Sequence, residues 1–361
     1  FDTTGFFFTR AGEVKLGDLS GVAAAAIDPA TVFALTACRE AAFQAGISGC
    51  VAAETGVVLA TNFGGSASAE ALFAQLAGSG AATVRDAHEY HYQTAADHVA
   101  AGLAIGGPRS VLSLSCASGT AALAFAADLI HTGRAAAVVA CGCDALSRFA
   151  WLGLSALRTI TQDAIRPFDL NRSGTIFSEG AGALVLEAYD HALQRGAPII
   201  AVLRGTGTGN NAHHMTAPAP EGAGSALVMK AALAEAGLEP EAIDHINAHG
   251  TGTKPNDVTE TQAIKNVFGD HAYRMPITAC KSMIGHMMGA AGSVEAIAAV
   301  LSIRDGIIPP TINFETPDPD CNLDNVVNEA RPATLRTVLS NSAGIGGCNA
   351  AVILQATGEA S

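Results

Sequence analysis

The chain has 361 residues, of which 49% are hydrophobic, 15% charged and 5% aromatic, and its formal net charge is −13. That length suits two ordinary domains or one large α/β unit. The acidic balance, with no run of Lys and Arg, excludes nucleic acid as a partner, because phosphate binding needs clustered cations. The apolar stretches are short and broken by Gly or charge, which excludes a membrane helix of roughly 20 apolar residues.

Abundant Ala and Gly with few aromatics favour close packing of helices on sheets. The low charge content predicts a surface partly buried in an oligomer. The eight cysteines are scattered, with only Cys141 and Cys143 close together and no C-x-x-C pair. They read as reduced thiols of a cytoplasmic protein, and no secretory leader is legible.

In chain order, residues 28–46 carry helical apolar spacing closed by a Gly, and 57–60 read as a short buried strand. A strand over 111–114 leads into Ser115-Cys116-Ala117-Ser118-Gly119-Thr120 and a helix through Ile130. Strands follow at 136–140 and 183–186. The second half repeats the rhythm. A strand at 199–204 precedes Gly205-Thr206-Gly207-Thr208-Gly209, which faintly suggests a phosphate loop. It lacks the Lys-Ser/Thr ending and reads as a turn. A helix at 225–237, a strand at 243–247, a helix at 294–301 and strands at 337–339 and 352–354 complete the pattern. Alternating strands and helices imply α/β layers, and the repeated rhythm implies an internal duplication.

Cys116 follows an apolar strand and opens a helix of small residues. A helix N-terminus favours thiolate, so a lowered thiol pKa is expected. The plain alternative is a buried structural cysteine. His249 lies in His249-Gly250-Thr251-Gly252-Thr253 just after a strand. His286 ends Lys281-Ser282-Met283-Ile284-Gly285-His286 and is followed by Gly289 and Gly292. Either histidine alone could be structural; with Cys116 they form a thiol–imidazole set. His213 and His214 are adjacent, point apart and make a poor zinc site.

Ser115-Cys116-Ala117-Ser118-Gly119, the H-G-T-G-T run and K-S-x-x-G-H, in that order, resemble the signature motifs of elongating β-ketoacyl-acyl carrier protein synthases. Arg166-Pro167-Phe168-Asp169, Glu179-Gly180-Ala181-Gly182, residues 308–313 and Leu339-Ser340-Asn341-Ser342 extend the resemblance over nearly the whole chain. The resemblance implies an α/β thiolase fold: two pseudo-duplicated halves in five αβαβα layers. Residues 1–190 would carry the nucleophile and 191–361 both histidines. It implies decarboxylative Claisen condensation in fatty-acid or polyketide synthesis. Cys116 would accept an acyl group, and neutral His249 and His286 would stabilise the enolate of a malonyl thioester. Lys281 would orient the site with Glu295, supported by Asp257. The amides of Cys116 and Ile345 would form an oxyanion hole, within a gate of Ala343, Gly344 and Ile345. Thr216, Thr251 and Thr253 would bind the pantetheine arm, or act only as local turns and caps. Asn247, Glu295 and Asn341 match a monovalent-cation site of some relatives, or a neutral network. No tightly bound cofactor is implied, because phosphopantetheine arrives on an acyl carrier protein. The chain would form a dimer, with itself or with a partner subunit.

Three departures from the family stand out. Phe1-Asp2-Thr3-Thr4-Gly5-Phe6 resembles a stretch that normally follows an opening strand and helix, so a preceding segment is expected. Ala343 and Ile345 stand where fatty-acid enzymes carry Phe. Residues 21–27 and 79–82 lack the usual cations for an acidic carrier, leaving Arg158 as the clearest survivor, with Arg85 a further cation. A degradative thiolase would need a second cysteine base in place of the two histidine motifs. A silent chain-length subunit would lack Cys116.

Overall fold

The computed structural model describes residues 2–15, 27–79 and 87–358. Two mixed sheets are stacked with helices outside and between them. The first has β1 (Thr55–Ala60), β2 (Arg109–Leu112), β3 (Ala137–Asp144) and β4 (Gly180–Glu187) in the order β2-β1-β3-β4. The second has β5 (Ala201–Asn210), β6 (His245–Asn247), β7 (Ile277–Thr278), β8 (Thr337–Ala343) and β9 (Cys348–Ala356) in the order β5-β9-β8-β6-β7. In both sheets three strands run parallel and the next one returns antiparallel, β4 in the first and β9 in the second. The second sheet adds β5 antiparallel to β9; among the described residues β4 has no such neighbour.

Six of the longer helices make the other layers: α1 (Pro29–Ala45), α2 (Tyr92–Gly102), α3 (Ser118–His131), α4 (Ala223–Ala236), α5 (Lys254–Phe268) and α6 (Ala291–Asp305). Helices α1 and α2 cover the outer face of the first sheet, α3 and α6 fill the space between the sheets, and α4 covers the second sheet with α5 against it. Strand alternation explains the layering. In β1, Val57 and Leu59 pack outward with Phe33 and Leu35 of α1, whereas Val58 and Ala60 pack inward with Leu123 of α3. In the second sheet Ile246, Leu339 and Ile353 face Val228 and Met229 of α4, and Val338 and Val352 face the central layer. This is the five-layered thiolase fold.

Local signals are followed closely in α1. Asp28 caps it through a hydrogen bond from Ala30 N–H, Pro29 begins it, and Gly46 ends it in the left-handed region. The strand expected at 111–114 runs instead from Arg109 to Leu112, since the chain must turn before Cys116. The glycine-threonine run at 205–209 is not a turn but the interior of β5, paired with β9 throughout. Its glycines serve packing: a Cβ on Gly207 would lie 2.1 Å from Val228 O, and one on Gly205 2.3 Å from Ala232 O. Helix α4 therefore lies directly on bare backbone. Among the described residues no helix is long and apolar enough to cross a membrane. All eight cysteines are unpaired thiols.

Candidate active site

Between the end of β2 and the start of α3 the chain reverses sharply. Ser115 takes φ +53, a left-handed conformation that costs a side-chain-bearing residue about 1–2 kcal/mol. Ser118 offsets that cost. Its Oγ accepts the Leu114 N–H at 2.7 Å and lies 2.6 Å from Ser115 O and 3.1 Å from Asn62 Oδ1. The turn leaves Cys116 8% exposed, its sulfur facing His249 and His286, with the three reactive atoms within 4.8 Å of one another. Gly344 presses on the same turn: a Cβ there would meet Ser115 Cβ at 3.0 Å and Cys116 N at 3.1 Å. The adjoining Ile345 amide faces the thiol as a hydrogen-bond donor.

The thiol does not titrate as its position suggested. Burial pushes its pKa up; the charge of Lys281 and hydrogen bonds from Ser115 and the Ile345 amide pull it down without reversing the shift. The lowered value expected from sequence is thus corrected.

His249 follows β6 and is held by Glu260 of α5. That carboxylate accepts the amides of His249 at 2.7 Å and Gly250 at 2.9 Å, and the Asn341 side-chain amide at 2.7 Å. Lys281, 1% exposed, donates to His249 Nδ1 at 3.1 Å, to His249 O at 2.7 Å and to Glu295 Oε1. Its three N–H bonds therefore meet three acceptors. His286 Nδ1 accepts the Met288 N–H at 3.1 Å, and the ring stacks on Phe177 with centroids 5.3 Å apart. The two histidine rings stand edge-on at 5.5 Å.

Burial holds both histidines well below their usual pKa, helped at each by the Lys281 charge. Both are neutral. Since each Nδ1 accepts a hydrogen bond, each ring carries its proton on Nε2 and can donate from there. The same tautomers argue against a metal at Cys116, His249 and His286, because a ligating nitrogen needs its lone pair free.

The remaining residues singled out in the sequence divide by position. Ala343 ends β8 and is half-buried, next to Gly344 and Ile345. Thr251 and Thr253 touch through their hydroxyls at 2.9 Å in the turn before α5. Thr216 is exposed, its amide donating to His214 Nδ1 at 3.1 Å. Asp257 is buried; it accepts the Phe168 N–H at 2.9 Å, lies 3.5 Å from Arg172 and is pushed up to about 6 by burial. Its contacts anchor the 166–169 segment. Arg158 is exposed just beyond the helix Arg148–Ala156. Residues 21–26, residues 80–82 and Arg85 lie outside the described residues.

Asn247 Oδ1, Glu295 Oε2 and Asn341 Oδ1 are buried without a hydrogen-bond partner among the described residues. Burial pushes Glu295 up to about 7 despite Lys281. Three orphaned oxygens in one buried region fit a monovalent cation better than a self-satisfied neutral network.

Sequence reasoning passed over Glu260, Phe177 and Asp144. Glu260 carried one signal: with Asp257, Thr261 and Ile264 it forms an i, i+3, i+4, i+7 face of α5, and all four are buried. A carboxylate on the inward stripe of a helix is a candidate for holding a neighbouring turn.

A dry cysteine facing two neutral, donating histidines between two duplicated mixed sheets defines a condensing enzyme. Comparison with known proteins agrees. The family described as "Beta-ketoacyl synthase, N-terminal domain" matches residues 15–192, and "Beta-ketoacyl synthase, C-terminal domain" matches 200–315. The chain is 42% identical over 331 residues to "Nodulation protein E" of Rhizobium meliloti, covering 90% of this chain and 81% of that protein. It is 38% identical over 368 residues to "3-oxoacyl-[acyl-carrier-protein] synthase 2" of Staphylococcus aureus, covering 98% and 91%. Among solved structures it superposes on "The ishigamide ketosynthase/chain length factor" with TM-score 0.92 at 36% identity, covering 99% of this chain and 90% of that one. It superposes on the ketosynthase complex "AntDE:AntF (apo): type II PKS acyl-carrier protein in complex with its ketosynthase bound to the hexaketide" with TM-score 0.88 at 33% identity, covering 92% and 86%. The chain belongs to the β-ketoacyl synthase family.

Proposed function

We propose that this chain elongates an acyl thioester by decarboxylative Claisen condensation on Cys116, in fatty-acid or polyketide synthesis, with both substrates delivered on an acyl carrier protein. Residues 1–190 supply the nucleophile and 191–361 supply the histidines. In the first step the Cys116 sulfur bonds to the acyl carbonyl while the amides of Cys116 and Ile345 hold the oxyanion. The carrier thiol leaves with the proton lost from Cys116. In the second step a malonyl thioester loses CO2, and the electron pair of the broken C–C bond passes into an enolate. The Nε2–H groups of His249 and His286 stabilise its oxygen. The enolate carbon then bonds to the acyl carbonyl, and the Cys116 thiolate leaves and takes up a proton.

Lys281 does not touch substrate in this scheme. It fixes the His249 tautomer and keeps that imidazole neutral. Asn247, Glu295 and Asn341 would hold a monovalent cation, which would supply positive charge behind Glu295. Ala343, Gly344 and Ile345 shape the acyl gate, and Thr216, Thr251 and Thr253 meet the pantetheine arm. The enzyme works in the cytoplasm as a dimer. Solved relatives are titled as a ketosynthase with a chain length factor and as a ketosynthase with an acyl-carrier protein, so both kinds of partner are in scope. A chain-length subunit without activity would not need the thiol that Cys116 provides.

The carrying observation is the set of Cys116, His249 and His286 within 4.8 Å, with both ring protons free to point inward. The test is intact-mass analysis after incubation with a panel of acyl carrier thioesters. Wild type should gain one acyl group, lose it on malonyl carrier addition and release a β-ketoacyl product. Acylation of the Cys116→Ala variant on another cysteine would overturn the assignment.

A further inference from the structure

Asp144 is the last residue of β3, fully buried, and has no part in the steps above. Its carboxylate accepts four groups: the Thr61 hydroxyl at 2.7 Å, the Asn62 N–H at 3.0 Å, the Phe63 N–H at 3.0 Å and the Gly289 N–H at 2.7 Å. The first three belong to the turn after β1 in the first half. The fourth belongs to the turn after His286 in the second half. One side chain therefore ties the two halves together beside the site.

Each end of the tie leads to a reacting group. On the first side, Asn62 Oδ1 lies 3.1 Å from the Ser118 hydroxyl that stabilises the Cys116 turn. On the second, Gly289 directly follows Met288, whose amide sets the His286 tautomer at 3.1 Å. Met288 itself has φ +52, a left-handed conformation in a side-chain-bearing residue. Such a turn persists only where its surroundings hold it, and the Gly289 N–H to Asp144 is the adjoining hold. The Cys116 turn keeps its own bonds, with the Ser118 hydroxyl donating to Ser115 O and accepting the Leu114 N–H; the Met288–Gly289 turn is closed by the Ala290 N–H on Met287 O at 2.9 Å, and Asp144 fixes where that closed turn sits relative to the first half.

We infer that Asp144 is a positioning residue for His286: by clamping the Gly289 amide against the 61–63 turn, it aims the Met288 amide at His286 Nδ1 and the Nε2 proton at the developing enolate. This rests on the assignment of His286 above. Outer partners that orient metal-ligating imidazoles are worth about 10- to 100-fold, and an effect of the same order is expected for a group that orients a reacting imidazole.

The test uses Asp144→Asn, which keeps the shape but replaces one acceptor oxygen by a donor that opposes the surrounding N–H groups. Thermal melting first establishes that the variant is folded. Single-turnover decarboxylation of malonyl carrier should fall about tenfold or more, while acylation of Cys116, followed by intact mass, changes by less than about twofold. On a His286→Ala background Asp144→Asn should cost little further, because its effect runs through that ring. The 15N signature of His286 should show Nε2–H in wild type and a mixed tautomer in Asp144→Asn. Equal loss of acylation and decarboxylation, or an undiminished loss in the double variant, would overturn the inference. If His286→Ala alone leaves decarboxylation intact, the assignment of His286 fails first. If His286→Ala removes it and Asp144→Asn does not, only the role of Asp144 fails.

Discussion

The two halves present their reactive groups by different physical means. Cys116 of the first half is held with backbone: a strained Ser115 at φ +53, a short turn and, from the second half, the bare backbone of Gly344 pressed against it. The second half holds its histidines with buried charge: Glu260 under the His249 turn, and the Lys281–Glu295 pair behind the ring. The nucleophile needs one direction and a neighbouring oxyanion pocket, which backbone supplies. The histidines need a fixed tautomer and a neutral ring, which require a donor at each Nδ1 and a dry surrounding. Damage to the second half should therefore spread to stability, and damage to the first should stay chemical.

The largest effect tests that asymmetry. Lys281→Ala leaves the Glu295 carboxylate buried without its cation, and breaking such a pair typically costs about 3–5 kcal/mol. The thermal midpoint should drop well below that of Cys116→Ala, which should melt near wild type. Equal midpoints would remove the distinction between the halves. Next in size, His249→Ala removes one of two enolate donors. Decarboxylation should lose roughly 2.7–4 kcal/mol of transition-state stabilisation, while acyl transfer to Cys116 persists. Parallel loss of both steps, measured by carbon dioxide release and intact mass, would make His249 structural.

The third prediction concerns the sign of the cysteine shift. A thiol raised by burial is mostly protonated near neutrality, and its thiolate fraction grows about tenfold per pH unit below its pKa. Alkylation of Cys116 by iodoacetamide should therefore keep climbing from about pH 6 to about pH 9. Over about pH 6.5 to 8 malonyl decarboxylation by the acylated enzyme should show no histidine titration, because both rings titrate well below that window, and any change there should follow Glu295, pushed up to about 7. A plateau in alkylation below about pH 7 would mean that the helix start wins over burial after all. A smaller effect is expected at the gate. Ile345 is half-buried, branched and lacks the flat face of Phe. Ile345→Phe should narrow the range of accepted acyl chains by a few-fold in relative kcat/KM for bulky ones, and an unchanged profile would take the gate away from this residue.

What could be read from the sequence follows the range of the forces involved. Helix α1 was legible because its apolar spacing and terminal glycine are local. Cys116, His249, Lys281 and His286 were legible as motifs. The first part of strand β5 was legible, but residues 205–209 were not, because alternating Gly and Thr has turn chemistry until a helix backbone is known to lie on it. Glu260 and Asp144 were missed for a related reason. A carboxylate reads as solvent-facing unless the long-range turn whose amides it accepts is known. The sign of the Cys116 shift was misread because helix position is local and desolvation is not. The site's reacting groups are thus written in short motifs, whereas the residues that aim them are set by tertiary contacts.

The smallest expected effect concerns how a carrier reaches this site. Acyl carrier proteins are acidic, and opposite charges steer association. This chain is itself at −13, so its long-range field opposes an acidic partner. Arg158 is exposed, and the adjoining helix exposes Arg148 together with two large apolar side chains, Phe149 at 68% and Leu152 at 63%. Salt screens exposed charges that lie farther apart than about a Debye length, about 10 Å at 0.1 M, so it would weaken the overall repulsion most and a close attraction at Arg158 less. The sign of the net response reports which dominates. With two exposed cations, Arg148 and Arg158, against a net charge of −13, raising salt should leave carrier-dependent turnover unchanged or raise it by up to about twofold, and Arg158→Ala should cost no more than an exposed pair is worth, about 0.2–1 kcal/mol. The contacts that remain would then be apolar, and Phe149→Ser should weaken carrier binding at high salt as much as at low salt. A steep fall of turnover with salt, reproduced by Arg158→Ala alone, would instead establish that one local cation overrides the field of the whole molecule.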